Sequence, residues 1–319
     1  MSNEREIEDG ASEDANFDRE FRRDLKRVRV RYWLNDCLQR TGQPNVHALG
    51  CIVEPDLRWM NEDSGERSWP NKWRHYAKGS RTPRAALVDK VEGLRVGGYT
   101  GEGSKAVFHH PLWDVLADEG FGSASMNRLL DRLSPATRVA ALKAPRAKVP
   151  LKRLSIPVPS QRDFHSMERR VGLDPLALST LISMRAGRAG LAAAAKTARH
   201  ATKRYLILLF PTLRRFGIAE EMYRFYEEWI WETGEGLGND ITRRVTWMSR
   251  LINRLRLLGV AGDSAQEEER ALRMALDGRF GFEVGLSLHA PIADPAHWTE
   301  NSMDFITDYL RLPRKRKAD

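Results

Sequence analysis

Cysteine is scarce: Cys37 and Cys51 are the only two in 319 residues, too few for a disulfide framework or a complete zinc site. Long apolar runs are missing too. Arg or Lys interrupts every candidate before the ~18 residues that a membrane span requires. The first twenty residues are acidic and hold no apolar stretch, so they do not read as a secretory signal. The sequence also lacks a Gly-rich loop ending in Gly-Lys-Ser/Thr, a His-Glu-x-x-His and a Gly-x-Ser-x-Gly. His109-His110 is an adjacent pair whose side chains do not converge on one metal, and Glu227, Glu228, Glu232 and Glu235 read as a solvated face. These absences predict a non-enzymatic protein of the cytoplasm that needs no cofactor and no metal.

Acids are missing where bases abound. Residues 1–20 carry a net charge of −6, whereas residues 21–100 carry +7. Residues 138–215 hold seventeen bases and three acids, Asp163, Glu168 and Asp174. A solubilising surface mixes both signs, and an excess of one sign repels itself unless a polyanion offsets it. The chain as a whole has a formal charge of +9. This pattern predicts nucleic acid as partner.

Apolar residues recur at three- to four-residue steps along most of the chain, which predicts a mainly α fold with at most one or two short strands. Residues 1–18, acidic and poor in apolar side chains, are expected to form a disordered tail. A helical domain follows over 19–120, with helices at Phe17–Gln39 and Val46–Val53. Asn45 caps the second of these, and Gly42 with Pro44 separates the two. Ser68 reads as the cap of a short helix with Pro70 in its first turn, and Pro83 opens the next. Pro145, Pro150, Pro157 and Pro159 mark 121–160 as a basic linker region. A C-terminal helical domain is expected over 161–312, with one strand at Phe280–Leu288, and a basic tail over 313–319.

The stretch Trp73-Arg-His-Tyr76-Ala-Lys-Gly79-Ser-Arg-Thr-Pro83-Arg-Ala-Ala-Leu87 resembles the end of the helix-turn-helix in XRE-type regulators, the class of Cro and lambda-like repressors. An aromatic near the end of the recognition helix, a glycine three residues on, a proline four further and a leucine in the next helix keep the family's spacing over about residues 68–88. Ala48 and Gly50 take the place of the preceding helix's alanine and turn glycine. Here the chain departs from the family, because Cys51–Arg67 makes the turn far longer than usual.

The resemblance implies that Asn71, Lys72, Arg74, His75 and Lys78 project from the recognition helix. Asn71 and Arg74 would read base edges, while Lys72, Lys78 and Arg81 would neutralise phosphates and Ser80 and Thr82 would touch the backbone. Trp73 and Tyr76, at helical spacing, are expected in the core. Arg146, Lys148, Lys152, Arg153, Lys196, Arg199, Lys203 and Arg204 would extend the footprint along the duplex.

Two readings of function follow. In the first, the chain is a DNA-binding transcriptional regulator, its C-terminal domain making a homodimer or receiving a protein partner; the aromatic stretch 216–233 reads first as core and second as that surface. In the second, it is an adaptor or assembly subunit of a larger protein or ribonucleoprotein complex of mobile-element or phage-defence type, its basic surface binding RNA or a partner. Neither involves a membrane.

Overall fold

The structure is a computed structural model that describes residues 3–55, 59–60, 67–68, 72–117, 123–143, 159–231, 238–280, 284 and 288. The fold is mainly α. The chain divides into two units, Met1–Glu119 and Gly120–Asp319. No described helix is long and apolar enough to cross a membrane.

The first unit is organised by α1 (Asn3–Thr41). This helix begins inside the segment expected to be a disordered tail. Acidic residues favour the positive end of a helix dipole, so a low apolar content does not exclude helix there. Val30, Trp33, Leu34 and Cys37, at i, i+3, i+4 and i+7, are buried in one core. Burial among apolar neighbours, and the nearby Asp36, push the Cys37 thiol well up, so this cysteine is an inert core residue. Gly42 at φ +64 ends the helix, and α2 (Val46–Val53) follows with Asn45 as its cap, accepting from the Ala48 amide at 2.9 Å.

Between α2 and α3 (Lys72–Ala77) lie two short paired strands, β1 (Trp59–Met60) and β2 (Arg67–Ser68). Ser68, expected as a helix cap, therefore belongs to a strand, and the helix starts four residues later. After α4 (Ala85–Glu92), β3 (Arg95–Val96) and β4 (Tyr99–Thr100) form a hairpin. Its tip is Gly97-Gly98, at φ +54 and +86, the left-handed pair that a two-residue turn of this twist demands. The described residues thus hold four two-residue strands where one or two were expected.

The Glu92 carboxylate caps α5 (Ser104–Phe108): it accepts from the Gly103 and Lys105 amides at 2.9 and 2.7 Å and from the Ser104 hydroxyl at 3.2 Å. Phe108 closes the core against Trp33, with ring centroids 5.4 Å apart, and Trp113 of α6 (Pro111–Ala117) packs edge-on to Tyr32 at 5.9 Å.

The second unit opens with α7 (Ser123–Arg132) and α8 (Pro135–Lys143), both within the expected linker. Pro135 sits at the first helical position, where the missing N–H costs nothing. A capping box, Ser160 with Asp163, starts α9 (Gln161–Met167), and a 3₁₀ turn (Glu168–Arg170) extends it. Then α10 (Leu173–Arg188) packs along α11 (Ala192–Arg215), which continues through Pro211. Their interface holds Thr202 donating to Ser179 at 3.0 Å, with Thr180 paired to the Tyr226 hydroxyl at 3.0 Å.

A shorter α12 (Ala219–Phe225) runs into a π turn (Tyr226–Ile230). Tyr223, Phe225, Tyr226 and Trp231 are buried, so this aromatic stretch fills the core, as the plainer of its two readings has it. The set closes with α13 (Gly238–Leu257) and α14 (Ala265–Leu276). The expected strand at Phe280–Leu288 is not borne out where residues are described: Val284 and Leu288 are helical and buried. A lone strand has no ladder to satisfy its backbone.

Candidate nucleic-acid interface

In the first unit the helix pair α2–α3 is held by one carboxylate. Glu54, just past α2, accepts from Lys72 Nζ at 2.5 Å and from Trp73 Nε1 at 3.0 Å. Gly50 lets the two helices touch, since a Cβ there would stand 2.9 Å from the Trp73 ring. Trp73 and Tyr76 are both buried, with rings in edge contact at 5.6 Å. These two residues are core, as their spacing predicts. Lys72, expected at a phosphate, is instead a half-buried ion-pair partner that holds α3 to α2. A short ion pair beside an indole is a poor source of free charge for a polyanion.

The turn after α3 is built for close approach. Gly79 adopts φ +67, and a Cβ there would come within 2.7 Å of the Arg27 carbonyl on α1. The Ser80 amide closes back on the His75 carbonyl at 3.0 Å, and its hydroxyl pairs with His75 Nδ1 at 3.1 Å. From α1, Lys26 Nζ reaches the Ser80 carbonyl at 3.5 Å. Thus α1, α3 and the turn that follows α3 meet at one edge.

Arg74, Lys78, Arg81 and Arg84 are exposed along this edge. None of them forms an ion pair with a described residue. Arg81 and Arg84 lie close enough to Tyr76 to act on its hydroxyl: burial raises that hydroxyl's pKa, and both guanidinium groups pull against the rise. These four exposed cations fall within eleven residues.

Arg23 and Arg27 share Asp24 at 3.7 and 3.6 Å, and Arg40 holds Asp36 at 2.5 Å. Arg29 donates to the Phe108 carbonyl at 2.8 Å while its guanidinium lies over the Phe108 ring at 4.3 Å. Lys26 and Arg84 escape a motif reading because they fall outside the recognition helix. Their signal is the spacing of Gly79, which brings the turn onto α1.

The second-unit residues divide in the same way. Arg204 is bound bidentate to Glu168, at 2.5 and 2.8 Å, and reaches Asp277 at 3.3 Å. It is a structural ion-pair residue, contrary to its expected place on a duplex. Lys203 is half-buried with its ammonium over the Trp231 ring at 4.8 Å, and burial lowers its pKa. It too is committed within the fold. Lys196 and Arg199 remain exposed on α11 with no described carboxylate partner. Asn71, Arg146, Lys148, Lys152 and Arg153 lie outside the described residues.

No family model, curated protein or solved structure matches the chain.

Proposed function

We propose that the chain is a non-enzymatic nucleic-acid-binding protein, a DNA-binding regulator that docks through the edge formed by α1, α3 and the turn that follows α3. The observation that carries this reading is the set of exposed cations Arg74, Lys78, Arg81 and Arg84, none paired with a described carboxylate, around a turn that Gly79 presses onto α1. Cations without internal partners repel one another in the free protein and gain most from a polyanion. In this reading Arg74 meets base edges and Lys78, Arg81 and Arg84 meet phosphates, with Lys196 and Arg199 as a further basic pair on the second unit.

The test is selection from a random duplex pool, with single-stranded DNA and RNA alongside, across a salt series. A duplex motif should be enriched, and Arg74→Ala should relax the preference at one position by about tenfold or more. Equal binding to all three pools, unchanged in an Arg74→Ala/Arg81→Ala variant, would remove the reading.

One feature favours the adaptor as second reading. Only six residues form α3, two of them face the core and Lys72 is tied to Glu54, which leaves Arg74 and His75 as exposed side chains on that helix. So few groups suit docking on phosphate or on an acidic partner better than reading a long sequence. Binding to structured RNA with no base preference would favour it.

A further inference from the structure

In the second unit α9 and α11 enclose a cleft of about 520 Å³, with Asp277 after α14 at its margin. Two histidines line it, together with Gln161, Arg162, Thr197 and Arg204. His165 is exposed, but its Nδ1 sits 3.1 Å from the Oε2 of Glu168, whose side chain is 3% exposed. That contact fixes the ring and leaves Nε2 as its outer nitrogen. Glu168 is itself immobilised by the two bonds from Arg204, and Arg273 donates to its backbone carbonyl. The capping box at Ser160 fixes the first turn of α9, where Arg162 stands exposed without a described partner.

The local charge decides what such a cleft attracts. His165, Glu168 and Asp277 offer ligand atoms within 4.8 Å of one another, a spacing a metal ion can span. Yet Arg204 already lies against both carboxylates, so a cation would have to compete with a guanidinium. The lining sets Arg162, Arg204, His165 and His200 against Glu168 and Asp277, and Arg204 already offsets both carboxylates, which leaves Arg162 as the charge without a described partner. The surroundings therefore favour an anion over a cation.

We propose that this cleft binds a phosphate group, with the Arg162 guanidinium, the His200 ring and the Nε2–H of a protonated His165 as its donors. The chemistry is shared by a free nucleotide and by the backbone of a nucleic-acid strand.

His200 makes the binding sensitive to pH. Burial lowers its pKa first, Arg204 and Lys203 lower it further, and Glu168 opposes them. The groups around it are Arg162, His165 and Glu168 from α9 and its 3₁₀ turn, Lys203 and Arg204 from α11, and Asp277 beyond α14. A bound anion favours the protonated ring, so binding draws in a proton and tightens as pH falls below the ordinary histidine range.

The experiment titrates the full chain, without duplex DNA, with inorganic phosphate, a mononucleotide and a short single-stranded oligonucleotide, reading heat and histidine NMR shifts. Saturable binding that weakens about tenfold or more in Arg162→Gln is expected. Preference for the small ligands identifies a free-nucleotide site, and preference for the oligonucleotide a strand site. Sulfate, whose charge is constant over this range, should bind more weakly as pH rises, and His200→Gln should reduce that dependence. Arg162→Gln binding like the parent chain would overturn the proposal. So would Mn²⁺ or Zn²⁺ binding in the absence of phosphate, lost in His165→Asn.

Discussion

Gly79 and Gly97 share a left-handed backbone but differ in surroundings, and that contrast isolates what each glycine does. At Gly97, φ +54, nothing lies within 4 Å of the place a methyl group would take, whereas at Gly79 the Arg27 backbone is in the way. Gly97→Ala should cost about 1 kcal/mol from the backbone alone. Gly79→Ala should cost clearly more, about 2–4 kcal/mol, because the turn must also leave α1. Urea unfolding of the two variants checks this, and equal losses would mean the close approach carries no energy. Glu54 is the second residue of this kind. Glu54→Gln weakens the grip on Lys72 and Trp73 together, with an expected loss of about 1–3 kcal/mol.

Helix ends carry the clearest tests at the next scale. Glu92 caps α5, and although burial opposes ionisation, the Gly103 and Lys105 amides and the Ser104 hydroxyl hold its pKa below the ordinary carboxylate value of 4.5. A depressed folded-state pKa stabilises the fold above the unfolded value and is lost as pH falls through the folded one. Thermal melts should therefore lose a stabilising component below about pH 4.5, and Glu92→Gln should lack that component and cost about 1 kcal/mol near neutrality. In the second unit, Glu268 is fully buried in the first turn of α14. It receives Arg214 at 3.0 Å and Arg215 at 3.3 Å from the last turn of α11, and Arg256 from the last turn of α13. Glu268→Gln would leave three guanidinium groups without their shared charge, and a loss of about 3–5 kcal/mol is expected in chemical unfolding. A loss under about 1 kcal/mol would show the hub to be relaxed by water.

Many of these elements are legible in the sequence. Periodicity and punctuation locate α2 and the Asn45 cap to the residue. The same signals fail at α7 and α8, because a linker inferred from prolines further on reaches back over two helices, one of which a proline merely starts. The candidate interface is legible only in part. Composition counts Lys72, Lys203 and Arg204 as free charge alongside Arg74 and Arg81. What separates them is a carboxylate 18 or 36 residues away, or a tryptophan face 28 away, and no local pattern encodes such pairs.

At the scale of the whole molecule, a charge of +9 and a pI of about 9.7 make association with polyanions strongly dependent on salt. If Lys78, Arg81 and Arg84 each displace about one counterion, duplex affinity should fall roughly fortyfold between about 50 and about 200 mM salt. Removing two of these should cut the slope of log affinity against log salt by roughly two thirds. A slope unaltered by those substitutions would move the contact surface elsewhere, with Lys196 and Arg199 next to be changed.

The clasp formed by Glu54 also bears on how this chain tolerates change. Since one side chain ties the end of α2 to the start of α3, the helix pair is held by a contact separate from the chain that joins them. An insertion between Met60 and Arg67 should then leave the pair assembled.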